Sequence, residues 1–214
     1  MEVGALAPYE RALHAGAPLR LRSRSGELIE LDLPRWLGGT DGADETVLAR
    51  CRGPVLDVGC GPGRFVAALT ARAVPALGVD IAEAAVALTR RRGHPALVRD
   101  VFANVPGEGR WPTVLVMDGN VGIGGDPVRL LTRLVDLLAP GGRLVVEAHP
   151  DPGRDERLRV RFAGAGGHPT GPEFGWAHVG AEALTAYAGA ARGRVVETWT
   201  AGGRAFSVIG RARA

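Results

Sequence analysis

The sequence predicts an α/β chain. It reads as a doubly wound, mostly parallel seven-stranded sheet with a C-terminal antiparallel hairpin and a small N-terminal cap. Three observations carry this. Short apolar runs alternate with helical segments from Pro54 onward, the pattern of βαβ units. The first run, Val55–Val58, goes straight into a glycine-rich turn, and the next three end in an acid, at Asp80, Asp100 and Asp118. The last two runs, Arg194 to Thr200 and Arg204 to Arg211, are separated only by Ala201-Gly202-Gly203, which reads as a hairpin.

Taken in order, residues 1–50 read as an accessory cap and residues 51–214 as the main domain. Pro8 to His14 supplies one or two helical turns. Leu19–Arg24 and Glu27–Leu33 alternate around Ser25-Gly26 as a hairpin, and Asp41 or Asp44 opens a helix that runs to Arg50 by accepting from its free N–H groups. Val55–Val58 is the first strand of the main domain, followed by a helix from Phe65 to Arg72. Strands at 76–80, 96–100, 112–117 and 143–147 follow, with helices at 82–92 and 126–138, the latter stopped by Pro140-Gly141-Gly142. Ala181 to Arg192 is helical. The segment Asp151 to Gly175, rich in Gly, Pro and Arg, reads as a mobile loop or lid.

Composition narrows the function classes. With 46% hydrophobic and 23% charged residues the chain is globular, and no uncharged apolar stretch is long enough to span a membrane. Glu2, Glu10 and Arg11 interrupt any signal-peptide core, and two cysteines, Cys51 and Cys60, make neither a disulfide framework nor a structural zinc site. A reducing cytoplasm is therefore the expected location. The net charge is +3 and all 26 basic residues are Arg, but the longest basic run is Arg90-Arg91-Arg92 and the rest are scattered among carboxylates. Nucleic acid is not the expected partner, because its footprint clusters charge.

The chemistry sits in Val55 to Arg64, V-L-D-V-G-C-G-P-G-R. Its alternating glycines let the chain turn sharply and let a ligand lie against bare backbone, and the helix start that follows favours a polar or anionic group. Asp80, at the end of the next strand, stands where a carboxylate in an open α/β sheet accepts from both hydroxyls of a ribose. Asp100 is placed for an adenine amino group. Acids at consecutive strand ends point to one adenosine-containing ligand. A pyrophosphate is poorly served, since the spacing is G-x-G-x-G and Asp57 lies within the first strand.

Over Pro54 to Ala214 the sequence resembles the class I S-adenosylmethionine-dependent methyltransferases, which are Rossmann-like. The resemblance rests on L-D-V-G-C-G-P-G, G-V-D, R-D-V, V-M-D-G-N and L-L-A-P-G-G-R-L-V-V-E. It implies that Asp57, Gly59, Gly61 and Gly63 belong to the cofactor site, the glycines along the amino-acid part of S-adenosylmethionine. It further implies that Asp80 holds the ribose, that Ile81 lies on a face of adenine, and that Asp100 and Val101 bracket its edge. Asp118, Gly119 and Asn120 are implied near the sulfonium. No metal is implied. Cys60 does not sit in the Pro-Cys setting of cytosine C5 methylation and reads as a small residue of the cofactor loop.

The acceptor is less legible. His149, beyond the fifth strand, is the candidate general base; the competing reading is a histidine that stabilises the turn before Pro150. Trp176 and His178 are candidates for an acceptor pocket, and Tyr9 and His14 for closing the site from the cap. The run Asp118 to Asp126 is expected to wrap around the methyl group and acceptor, and it lacks the N/D-P-P-Y/F pattern of adenine or glutamine nitrogen methylation. A small-molecule acceptor, a secondary metabolite in keeping with a composition typical of GC-rich coding, is the leading reading. An RNA methyltransferase would line up Arg20, Arg22, Arg24 and Arg90 to Arg92 beside the crevice. An NAD(P)-dependent oxidoreductase would prefer a dinucleotide, and a non-catalytic binding protein would lack an acceptor cavity.

Overall fold

The computed structural model describes residues 6–164 and 166–212. The chain opens with α1 (Ala7–Ala15), β1 (Leu19–Ser23), β2 (Leu28–Leu31), α2 (Leu33–Leu37) and α3 (Gly42–Leu48). Asp32 caps α2 by accepting from the Arg35 N–H, and Asp41 caps α3 in a reciprocal box with Asp44. The sequence pattern merges the start of α2 into the preceding strand; Asp32 followed by Pro34 near the helix start is its local signature.

The main sheet follows: β3 (Val55–Val58), α4 (Arg64–Ala71), β4 (Ala76–Asp80), α5 (Glu83–Arg91), β5 (Ala96–Val98), β6 (Trp111–Val116), a kinked 3-10 segment (Asn120–Gly125), α6 (Pro127–Leu137) and β7 (Leu138–Ala148). After β8 (Asp155–Ala163) and β9 (Pro169–Val179) come α7 (Ala181–Ala190), β10 (Gly193–Ala201) and β11 (Arg204–Arg211). Seven strands pair in the order β10-β11-β7-β6-β3-β4-β5. The pairs from β7 to β5 are parallel, and β11 runs antiparallel to both neighbours. Strand order reverses between β3 and β6, and in an open sheet a crevice forms outside the carboxyl ends at that point.

The alternation of side chains along β6 explains the two-sided winding. Val114 and Val116 pack with Leu130, Leu134 and Leu184 of α6 and α7, whereas Leu115 points to the other face with Val47, Phe65 and Leu69 of α3 and α4. Each of these residues is almost completely buried.

Asp151 to Gly175 is not a loop. It contains β8 and most of β9, which join β1 and β2 in a second, four-stranded antiparallel sheet of order β2-β1-β8-β9. Leu158, Val160 and Phe162 face inward while Arg157, Arg159 and Arg161 face solvent, a period-two pattern that the Arg content obscures. The inner face of this sheet packs on α1, α2 and the start of α5 through Leu13, Leu21, Leu33, Ala85, Phe162 and Phe174.

Within 118–126, Asp118, Asn120, Ile123 and Gly124 line the crevice, while Gly122 and Gly125 serve packing. A Cβ on Gly122 would lie 2.2 Å from the Ala177 carbonyl oxygen, and one on Gly125 would lie 3.0 Å from the Gly175 Cα. They let the 3-10 segment pack backbone to backbone against β9 and so fix the second sheet over the crevice.

Candidate active site

The reversal point of the main sheet opens into a cavity of about 500 Å³, within the size range of small-molecule sites. Its floor is made by the loops after β3, β4, β5 and β6, and its roof by α1, α2 and the second sheet.

The floor is built around the turn after β3. Gly59, Gly61 and Gly63 all have left-handed φ, at 69°, 53° and 85°. The N–H groups of Gly59 and Cys60 both donate to the Val79 carbonyl, at 2.9 and 3.1 Å, which ties the turn to β4. Asp80 then receives the Gly61 N–H on one oxygen (2.8 Å) and the Ala82 N–H on the other (2.9 Å). Its carboxylate is thus fixed, with a lone pair on each oxygen left for a ligand. Burial raises its pKa, opposed by those backbone hydrogen bonds.

Each glycine does a separate job. Gly59 lies under Asn120, whose amide donates to the Gly59 carbonyl at 2.9 Å; a Cβ there would sit 2.5 Å from that amide nitrogen. Gly61 lines the cavity beneath the Tyr9 hydroxyl, 3.4 Å from where its Cβ would be. Gly63 does not line it: a Cβ would strike Thr89 of α5 at 2.5 Å, so its role is close helix packing.

The acids converge as the sequence reading requires. Asp57, Asp80, Asp100 and Asp118 all line the one cavity. Asp57 is almost fully buried, and its carboxyl makes no hydrogen bond among the described residues. Burial, reinforced by Asp118 and Asp80, pushes its pKa up to about 8. At the far end Ile81, Asp100, Val101 and Phe102 form a mostly apolar slot, where Asp100 accepts the Phe102 N–H at 2.9 Å. Gly119 stands at a left-handed φ of 78° behind this surface and does not line it.

Asp118 is in a different state from Asp57. It receives Arg64 at 2.8 Å and Arg35 at 2.7 Å, while its N–H donates to Glu147 at 2.7 Å. Arg64 also pairs with the fully buried Asp44, and Arg204 bridges Asp44 and Glu147 at 2.7 Å each. This network welds α2, α3, α4 and the ends of β6, β7 and β11 together. Sequence reasoning misses it; its one visible trace is an arginine at position 64, directly after the glycine turn.

His149 is outside the cavity. Its N–H donates to the Val179 carbonyl at 2.8 Å, its Nδ1 accepts the Asp151 N–H at 3.1 Å, and its ring lies 5.1 Å from that of His178. β9 occupies the sheet edge where a base was expected, so His149 holds a turn. His178 lies with it, outside the cavity, and burial lowers its pKa. His14 faces solvent on α1, bonded to the Glu10 carbonyl at 2.8 Å. Cys60 packs against Gly78, and burial raises its thiol pKa well above the ordinary value, which leaves no thiolate nucleophile. Tyr9 and Trp176 do line the cavity, with Trp36, Phe162 and Phe174, which sequence reasoning does not single out.

Residues 55–142 match a family model described as a methyltransferase domain. No curated protein matches the chain. Among solved structures, an S-adenosylmethionine-dependent methyltransferase from Bacteroides fragilis, in complex with S-adenosylhomocysteine, is similar over 98% of this chain and 95% of its own, with 20% identity and a TM-score of 0.78. The 1,6-didemethyltoxoflavin-N1-methyltransferase of Burkholderia thailandensis covers 74% and 71%, at 19% identity and a TM-score of 0.57. The sugar N-methyltransferase KedS8 from a Streptoalloteichus species covers 82% and 96%, at 20% identity and a TM-score of 0.55. Residues 55–142 are thus similar to a methyltransferase domain, and the chain shares the fold of these solved structures.

Proposed function

We propose that this chain transfers a methyl group from S-adenosylmethionine to a small organic acceptor by in-line substitution. The observation that carries the reading is the convergence of Asp57, Asp80 and Asp100 with the glycine turn on one cavity. The residues present fit the cofactor. Asp80, held by two backbone N–H groups, suits a pair of ribose hydroxyls. Asp57, a carboxyl without a protein partner, suits an ammonium group. Ile81, Asp100, Val101 and Phe102 suit a purine and its amino group. Gly59 and Gly61 leave the backbone bare along the amino-acid end.

When bound, the cofactor supplies a methyl group activated on a sulfonium. The chain's own contribution is to orient and to exclude water. Fixing two reactants in line is worth roughly 7–11 kcal/mol of barrier in favourable cases. The roof of α1, α2 and the second sheet makes the interior less polar, which favours a reaction that disperses charge. Among the described residues no histidine lines the cavity, so the chemistry rests on positioning, with any proton leaving to a carboxylate or to water.

A small acceptor fits better than RNA. Five of the six arginines that an RNA reader would present are engaged locally. Arg20 pairs with Glu30, Arg22 bonds the Gly167 carbonyl, Arg24 pairs with Glu173, Arg90 bonds the Ala96 carbonyl and Arg92 the Pro62 carbonyl. None of the six lines the cavity, whose arginines are Arg64, Arg99, Arg129 and Arg159. Two structural neighbours are named for small acceptors, 1,6-didemethyltoxoflavin and a sugar. We assign the enzyme to the cytoplasm and to secondary metabolism; among the described residues no helix is long and apolar enough to cross a membrane. Calorimetric titration with S-adenosylmethionine, S-adenosylhomocysteine and NAD tests the reading. The first two should bind, and NAD binding without either would overturn it.

A further inference from the structure

The acceptor half of the cavity has a composition unlike the rest of the molecule. The chain is only 5% aromatic, yet Tyr9, Trp36, Phe162, Phe174 and Trp176 all face this one space. They arrive from α1, α2, β8 and β9, so the fold gathers them. The Tyr9 and Phe162 rings are parallel to within 6° with centroids 6.4 Å apart, Trp36 stands edge-on to Tyr9 at 78°, and Phe174 leans on Phe162 at 5.1 Å. Leu6, Leu21 and Leu31 complete the walls. Such an arrangement offers ring faces and edges at several angles, and that is the surface on which another ring packs best.

One polar atom set into this apolar surface, over Gly61, is a donor without a partner among the described residues. The Tyr9 hydroxyl makes no hydrogen bond among the described residues, and burial raises its pKa well above the ordinary phenol value, which keeps the proton on it. A buried unpaired donor is costly unless something supplies an acceptor atom.

Charge selects between the ligands an aromatic box can take. Such boxes also hold ammonium groups, but the charges here oppose a cation. The one acid on the roof, Glu173, is shared by Arg24 and Arg159, each at 2.8 Å, which leaves the rim net positive. A cationic acceptor would also sit beside the sulfonium of the proposed cofactor.

We infer that the methyl acceptor is a flat aromatic or heteroaromatic molecule, neutral or anionic, whose ring packs among Tyr9, Trp36, Phe162 and Phe174 and whose oxygen or nitrogen accepts from the Tyr9 O–H. The inference rests on the methyltransferase reading, since the cofactor fills the floor and leaves the roof to the acceptor.

The test uses full-length protein saturated with S-adenosylhomocysteine and calorimetry with defined probes. Quinoline-2-carboxylate, indole-3-carboxylate and 4-hydroxybenzoate represent the inferred class. Cyclohexanecarboxylate matches their charge without the ring, and choline represents the cation. At least one aromatic probe should bind about tenfold or more tightly than both controls. Phe162→Leu and Phe174→Leu keep apolar volume but remove a ring, and should each weaken that probe severalfold with S-adenosylhomocysteine affinity retained. Tyr9→Phe keeps the ring, loses the O–H, and should weaken it about tenfold. The inference falls if choline or cyclohexanecarboxylate binds as well as every aromatic probe, or if no probe binds a protein that does bind S-adenosylhomocysteine. Failure to bind S-adenosylhomocysteine at all refutes the methyltransferase reading instead. Because the probe comparison is made on unaltered protein, a variant that fails to fold does not remove the test.

Discussion

Asp57→Asn should stabilise the free protein and impair cofactor binding, and the first effect should grow with pH. The folded protein holds the Asp57 carboxyl at about 8, against an ordinary value of 3.8. Between those values the unfolded chain has released a proton that the folded chain keeps. Stability therefore falls as pH rises, by at most about 1.4 kcal/mol per pH unit; the benefit of the neutral carboxyl is complete below about pH 4 and gone above about pH 8. The amide that replaces it in the variant does not titrate and carries no such slope. From pH 5.5 to 7.5 the advantage of the variant should widen by about 2–3 kcal/mol, or about 4–12 °C in Tm for a chain of this size. Urea unfolding followed by circular dichroism at the two pH values measures it. In the same variant, loss of a charge-assisted contact to the cofactor's ammonium group should weaken S-adenosylmethionine binding by about ten- to a hundredfold. Parallel pH–stability curves for parent and variant would refute the burial argument. Unchanged affinity would refute the placement of the ammonium group.

Other predictions address the remaining parts of the site. Asp80→Ala should lower S-adenosylmethionine affinity by about ten- to a hundredfold, and Asp80→Asn, which keeps one acceptor oxygen, by less; calorimetry that finds no change would remove Asp80 from the site. Arg64→Met leaves the buried Asp44 and Asp118 short of a partner and should cost about 3–5 kcal/mol in urea unfolding, and a second change, Asp44→Asn, should recover part of it. Gly63→Ala, at φ 85° and facing Thr89, should lose about 1–2 kcal/mol from backbone strain alone and more from the collision, with cofactor affinity near that of the parent wherever the variant is folded. His149→Ala should leave the methylation rate unaltered once an acceptor is in hand, because the ring lies outside the cavity; a rate loss without a loss of stability would restore it as a base.

What could be read from the sequence was what local pattern encodes. The strands β3 to β6 are short apolar runs bounded by turns; β3 contains Asp57, and β4, β5 and β6 end at or just before Asp80, Asp100 and Asp118, so both their type and the converging carboxylates were visible in one dimension. β8 and β9 were not, because Arg157, Arg159 and Arg161 occupy the solvent face and raise the polarity of a segment whose inner face is Leu158, Val160 and Phe162. Missing those strands hid the roof, and with it Phe162 and Phe174. It also misplaced His149. The rule that crevices open at carboxyl ends of strands holds for β3 and β6, but at β7 the carbonyl of Val179 takes the edge. The arginine network was invisible for another reason. Asp44, Arg64, Asp118, Glu147 and Arg204 are far apart in the chain, and which acid meets which arginine is decided only when the sheet and its helices are assembled.

That network bears on why a cation should bind where it does. Asp57 and Asp118 line the same floor, yet one has no partner among the described residues and the other has three arginines, Arg35, Arg64 and, at 3.6 Å, Arg204. Were Asp118 also bare, its charge would press Asp57 and Asp80 further toward their neutral forms, since like charges in a low-dielectric pocket each raise the other's pKa. Arg35, Arg64 and Arg204 offset part of that charge, and Asp57 is the buried acid on the floor that has neither a hydrogen bond nor a counter-ion among the described residues. A ligand bearing an ammonium group and a sulfonium supplies one. Its binding should therefore draw a proton off the Asp57 carboxyl near neutral pH, and calorimetry in buffers of different ionisation enthalpy should register release of close to one proton at pH 7. Asp57→Asn should abolish that release. Binding with no net proton exchange in the parent would mean that Asp57 is already ionised in the free protein, and the charge division between the two acids would have to be drawn differently.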